Sequence, residues 1–128
     1  MFDPASLLLQ GRRALVTGGA AGIGAAIAQA FAACGADVAI SVHRRGGEAT
    51  LAAIRKLQRN GEAIEADLEG LTAETAAELV DEAERRLGPI DILVNNAGII
   101  RRAEALDHSE EDWRAVMAVD LDAVWLLS

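Results

Sequence analysis

The feature that most narrows what this chain can fold into is an alternation: short apolar runs and segments with helical spacing follow one another four times, with glycine closing most of the pairs. Ala14, Leu15 and Val16 form a short apolar run, a Gly-rich turn follows, and Ile23, Ile27, Phe31 and Cys34 then recur at helical spacing until Gly35 stops them. Residues 37–42 (DVAISV) predict a second strand. Leu51, Ile54 and Leu57 mark a second helix after Gly46 and Gly47, and Asn60 and Gly61 close it. Residues 62–66 predict a weaker third strand. Thr72 is positioned to cap a third helix with Glu74 in its first turn, which carries Ala76, Leu79, Val80, Ala83 and Leu87 inward until Gly88 and Pro89. Residues 90–94 predict the fourth strand. Ser109 then caps a fourth helix with Glu110, Glu111 and Asp112 in its first turn and Trp113, Val116, Met117, Leu121 and Val124 on its apolar face. Strands alternating with helices of this length call for an α/β fold, a parallel sheet wound on both sides by right-handed crossovers. No internal repeat, low-complexity stretch or linker interrupts the pattern, so a single domain over residues 1–128 is expected.

Charge and cysteine usage remove several function classes. With 12 Lys+Arg against 20 Asp+Glu the net charge is −8, which argues against a nucleic-acid partner. The hydrophobic share of 52% against 25% charged residues is that of a globular domain and not of a disordered one. One cysteine, Cys34, excludes an internal disulfide and reads as a small buried apolar residue, and no Cys/His cluster has metal spacing, so no metal is expected. Residues 1–10 lack the basic start and long apolar stretch of a signal peptide, and no apolar segment is long enough for a bilayer; a cytoplasmic chain without a membrane partner is expected.

The strongest motif is TGGAAGIG, Thr17 to Gly24, set between the first strand and the first helix. A pyrophosphate there would meet the free N–H groups and positive end of that helix, and glycines leave room for its approach. At the end of the second strand, where a carboxylate normally holds the ribose 2′-hydroxyl of NAD, the chain has Val42, His43, Arg44 and Arg45. Two guanidinium groups there suit a 2′-phosphate, and a solvated basic turn is the competing reading; NAD and NADP both remain open. Asp67 follows the third strand and can accept from an adenine amino group or cap a turn. Asn95-Asn96-Ala97-Gly98 closes the fourth strand on the same edge of the sheet.

These pieces together resemble the short-chain dehydrogenase/reductase family: TGGAAGIG, Asp67-Leu68, NNAG at Asn95 to Gly98, and the spacing onward to Trp113 and Asp120-Leu121, across nearly the whole chain. The resemblance implies a Rossmann-type doubly wound sheet, truncated after about four strands relative to the family. It implies cofactor contacts from Thr17, Gly18, Ala20, Gly22, Ile23, Gly24, His43, Arg44, Asp67, Leu68, Ala97 and Gly98, with Asn95 mainly tying the central strands together. Residues 95–113 resemble more finely the sugar-acid branch containing 2-deoxy-gluconate 3-dehydrogenase, 2-keto-3-deoxygluconate dehydrogenase and gluconate 5-dehydrogenase. Arg101 and Arg102 in that stretch suit a substrate carboxylate; an exposed pair beside a loop is the alternative.

The departures from the family pattern bear on chemistry. The family's proton-transfer groups, a Ser on a fifth strand and a Tyr-x-x-x-Lys on a fifth helix, would lie beyond Ser128, and the chain holds no Tyr and one Lys, Lys56. Ser128 falls on the fourth helix and is not that Ser. His43 and His108 are unsuited to replace them, and Lys56 is expected on a solvated face. Asp120 stands where most members carry an Asn of the proton relay; an ionised carboxylate accepts hydrogen bonds and cannot donate, so a structural role competes with a relay role there. The expectation is the cofactor-binding part of an NAD(P)-dependent oxidoreductase acting on a hydroxyl or keto group of a small molecule, a sugar acid by resemblance. The alternative is a dinucleotide-binding module without turnover, or a half-fold needing a partner chain. A homo-oligomer is expected of the full-length form, and the apolar helix face with Trp113, Met117 and Val124 is expected to be exposed.

Overall fold

A computed structural model describes residue 1, residues 3–44 and residues 46–128. After a 3-10 turn at Pro4–Leu7, the order is β1 (Arg13–Val16), α1 (Gly22–Ala33), β2 (Asp37–Val42), α2 (Glu48–Lys56), β3 (Gly61–Glu65), α3 (Ala73–Leu87), β4 (Ile92–Val94), α4 (Glu110–Met117), a π turn (Ala118–Asp122) and α5 (Ala123–Leu127). The four strands form one parallel sheet in the order β3-β2-β1-β4, with Val16 beside Ile40 on one side and Val94 on the other. The chain therefore winds outward from β1 to β3 and crosses back to place β4 on β1's other side. Such a reversal opens a crevice at the carboxyl ends of the central strands.

Two apolar layers cover the sheet. Val16, Val38, Ile40 and Val42 pack with Ala28, Ala32 and Ile54 from α1 and α2; Leu15, Ala39 and Ile64 pack with Leu79 and Ala83 from α3, and with Leu127 of α5. Strands buried on both faces read as continuous apolar runs, which is why β1 and β2 were visible in the sequence. α3 starts on a reciprocal capping box in which Thr72 and Thr75 each accept the other's backbone N–H, at 2.9 and 3.2 Å. Glu82 bridges Arg85 and Arg86 further along the same helix.

Three helical faces differ from the spacing-based expectation. α1 turns Gly24, Ala28 and Ala32 to the sheet, while Ile27 and Phe31 flank that contact and Ile23 is 74% exposed. The helix starts so close to the turn before it that only small residues fit beneath it: a Cβ on Gly24 would lie 2.3 Å from the Gly18 carbonyl oxygen. Cys34, expected buried, is half-buried at the α1 C-cap. α2 buries Thr50 with Ile54 and leaves Leu57 in solvent. The fourth helix runs through α4, the π turn and α5 with helical dihedrals at each junction. It buries Ala115, Val119 and Ala123, and leaves Trp113, Leu121 and Trp125 exposed, with Met117 and Val124 half-buried. No helix among the described residues is long and apolar enough to cross a membrane.

Candidate functional site

The carboxyl ends of all four strands open into one cavity of about 520 Å³. Gly18 and Ala21 line it from the turn after β1, Ser41, Val42 and His43 from the end of β2, and Ala66 to Glu69 from beyond β3. Asn96 to Ile99 line it beyond β4, Val119 from the π turn, and Ile23 and Arg101 complete the wall. Among the described residues, the charged and titratable groups on this wall are His43, Asp67, Glu69 and Arg101, so the lining carries both signs.

The glycine turn is tethered from three elements. The Asn96 amide donates to the carbonyls of Thr17 (2.9 Å) and Gly18 (3.2 Å), and the Thr17 hydroxyl accepts the N–H groups of Asn96 and Ala97. Ser41 accepts the Gly18 N–H at its hydroxyl and the Gly19 N–H at its carbonyl. The buried Thr50 hydroxyl donates to the Gly19 carbonyl at 2.9 Å. Gly18 and Gly22 have φ of +66° and +59°, left-handed values that glycine adopts without a Cβ penalty. A Cβ on Gly22 would touch nothing within 4 Å, which leaves the start of α1 open to an incoming group.

Ala21, the α1 N-cap residue, makes no side-chain capping bond. Among the described residues the N–H groups of Ala20 through Gly24 have no partner; the first intrahelical bond of α1 is that of Ala25 to the Ala21 carbonyl. An uncapped helix start facing a cavity is a ready anion site, because its donors are unsatisfied and its dipole is positive there.

The remaining predicted residues fall into three groups. Gly18, Ile23, His43, Asp67, Leu68, Ala97, Gly98 and Arg101 line the cavity. Asp67 combines its two readings: Oδ1 accepts the N–H groups of Glu69 and Gly70 as a turn cap, and Oδ2 makes no bond among the described residues. Gly22, Gly24, Ala20 and Arg44 stand outside the lining; Gly24 serves close packing, and Arg44 is exposed with φ +63°. Arg45 lies outside the described residues.

Thr17, expected among the cofactor contacts, is instead buried behind the turn at 2% exposure, with its hydroxyl engaged by Asn96 and Ala97. The strand-tying role expected of Asn95 belongs to Asn96: the chain turns just past β4, where the Asn96 N–H bonds back to the Val94 carbonyl, and the Asn96 amide reaches the glycine turn while the Asn95 amide reaches Ser128. The arginine pair is split: Arg101 lines the cavity and pairs with Asp112 at 3.6 Å, while Arg102 is exposed and does not line it. Asp120 Oδ1 accepts the Ile99 N–H at 2.9 Å, from a π turn that also sends Val119 into the cavity wall. Ser41 and Thr50 were missed by sequence reasoning; a polar residue within a buried run was the available signal for Ser41, and Thr50 had none.

The model of the short chain dehydrogenase family matches residues 12–128. Among curated proteins, the chain is 36% identical to the 2-dehydro-3-deoxy-D-gluconate 5-dehydrogenase of Dickeya dadantii, with 94% of this chain aligned to 46% of that protein. It is 35% identical to the gluconate 5-dehydrogenase of Gluconobacter oxydans, over 99% of this chain and 49% of that protein. Among solved structures, a short-chain dehydrogenase from Burkholderia cenocepacia in complex with NADP superposes with a TM-score of 0.87 at 44% identity. That match covers 93% of this chain and 49% of the other. The chain thus spans about half the length of the curated relatives it matches.

Proposed function

Since the chain belongs to the short-chain dehydrogenase family, we propose that it is the cofactor-binding part of an NAD(P)-dependent oxidoreductase acting on a hydroxyl or keto group of a sugar acid. The observation that carries the cofactor reading is the run of N–H groups from Ala20 to Gly24 without a partner among the described residues, at a helix start where a Cβ on Gly22 would meet nothing and whose Ala21 and Ile23 line a cavity that reaches Asp67. These residues fit a dinucleotide. The start of α1 would hold the pyrophosphate, the free Oδ2 of Asp67 would accept from the adenine amino group, and Ala97 and Gly98 would lie along a ribose. A bound nicotinamide dinucleotide supplies the hydride chemistry. The wall at the end of β2 offers His43 with Arg44 next to it and no carboxylate, which suits a 2′-phosphate and supports NADP.

The sugar-acid assignment rests on the names of the relatives and on Arg101, whose guanidinium on the cavity wall suits a carboxylate. A dinucleotide-binding module without turnover would use the same site.

The test is calorimetric titration of NAD and of NADP into the chain and into an Ala21→Asp variant. An aspartate at this N-cap would satisfy a free donor and stabilise α1 by about 0.5–2 kcal/mol, while its charge repels a pyrophosphate. A higher denaturation midpoint together with weakened dinucleotide binding is the expected pair of results. A folded wild-type chain that binds neither dinucleotide would overturn the proposal, and tighter binding of NADP than NAD would assign the end of β2 to the 2′-phosphate.

A further inference from the structure

The glycine turn owes its shape to more than its glycines. Each peptide unit points its carbonyl and its N–H in roughly opposite directions, so holding one end aims the other. Asn96 holds the Gly18 carbonyl, and the N–H of that peptide unit, on Gly19, ends on Ser41. The Thr50 hydroxyl donates its one proton to the next carbonyl, that of Gly19, at 2.9 Å and shares it more weakly with that of Ala20 at 3.4 Å. Thr50 belongs to α2, is 1% exposed, and lies outside the cavity lining. The N–H groups of those same two peptide units, on Ala20 and Ala21, are the first two of the unpartnered run.

We infer that Thr50 is a positioning residue for anion binding at the glycine turn: by pulling the Gly19 and Ala20 carbonyls toward α2 it aims the Ala20 and Ala21 N–H groups away from α2, to the side where a pyrophosphate would sit. The inference rests on the dinucleotide reading above and assigns the turn's preorganisation to a helix that never touches the ligand. A rotatable hydroxyl donor is required, since a methyl in its place leaves both carbonyls free to turn. Preorganised donors bind a charged group more tightly because the ligand does not have to order them.

Calorimetry with ADP-ribose, which carries the pyrophosphate, and NMR titration with adenosine 2′-monophosphate, which lacks it, distinguish positioning from general loosening. Thr50→Val keeps the shape and removes the hydroxyl; Thr50→Ser keeps the hydroxyl. In Thr50→Val, ADP-ribose affinity should fall about tenfold, the scale of one hydrogen bond to a charged group. Adenosine 2′-monophosphate affinity should hold, and Thr50→Ser should bind both ligands as the wild type does. Equal ADP-ribose affinity in wild type and Thr50→Val, or a parallel loss for both ligands, would overturn the inference. Failure of the wild-type chain to bind ADP-ribose would overturn the dinucleotide reading and this inference with it. Should Thr50→Val not fold, Thr50→Cys carries the same comparison, a thiol being a weak donor: loss confined to ADP-ribose supports positioning, and loss of neither overturns it.

Discussion

Gly22 and Gly24 are two residues apart and serve opposite needs. At Gly24 a Cβ would collide with the Gly18 carbonyl oxygen at 2.3 Å and with the Asn96 amide at 2.4 Å. At Gly22 it would meet nothing, so the cost there is that of a left-handed φ alone. Gly22→Ala should therefore cost about 1–2 kcal/mol of stability. Gly24→Ala should cost more, about 1–3 kcal/mol from overpacking plus the displaced Asn96 bonds, and should reshape the turn. Urea denaturation of the two variants gives the order directly; a smaller loss at Gly24 would contradict the tether built on Asn96. The motif's spacing was legible in the sequence, because glycine at a strand-to-helix turn has few other uses. Which asparagine of the pair supports it was not legible, since that depends on how the chain turns after β4.

Among the elements, α3 shows how much a helix can declare locally. Its cap, its inward face and its Gly-Pro end were all readable, because each depends on neighbours within a turn or two. Its outer face adds a charge cluster in which Arg85 and Arg86 hydrogen-bond Glu82 and hold its carboxyl well down, from 4.5 to about 2. A depressed carboxylate pKa stabilises the folded state above the ordinary value, and that contribution disappears as the pH falls through the folded value. The stability difference between wild type and Glu82→Gln in thermal denaturation should accordingly be largest near pH 6, shrink between about pH 4.5 and 2 and vanish only below the folded value, with the wild type the more stable at pH 6. A difference independent of pH would place the effect in packing. The three side chains lie at the surface, so the difference is expected to be small and to shrink with salt.

The helix formed by α4, the π turn and α5 behaves differently. Its cap at Ser109 was readable, and so was the exposure of Trp113, whereas the side it buries was not: that side holds Ala115, Val119 and Ala123, and Met117 and Val124, expected exposed, are half-buried. Two causes act together. The π turn shifts the register of the later residues, and the alanines allow the helix to approach α3 and the cavity wall closely. Neither leaves a local mark that outweighs hydrophobicity.

At the scale of the whole molecule, the described sheet ends at β4, whose three residues are half-buried, and the last helix presents Trp113, Leu121 and Trp125 to solvent. An edge strand and an apolar helix face invite association. Size-exclusion chromatography over a dilution series should show an apparent mass that falls with concentration. Trp113→Glu combined with Trp125→Glu should shift the chain toward monomer with little loss of stability, within about 0.5 kcal/mol per surface substitution. A dilution-independent monomer in the wild type would remove this expectation.

The sequence by itself determined the alternation of strands and helices, the capped starts of α3 and α4, and the glycine turn on the carboxyl edge of β1. Each of these follows from periodicity, backbone freedom or short-range hydrogen bonding, which act between residues close in the chain. Only the tertiary structure decided that Thr17 is enclosed behind the turn, that Asn96 and Thr50 hold it, that Arg101 and not Arg102 lines the cavity, and that Ala115, Val119 and Ala123 form the buried side of the last helix. Those outcomes depend on how closely elements far apart in sequence approach each other, and small residues such as Gly24, Ala28 and Ala123 control that approach while contributing little to any hydrophobic pattern.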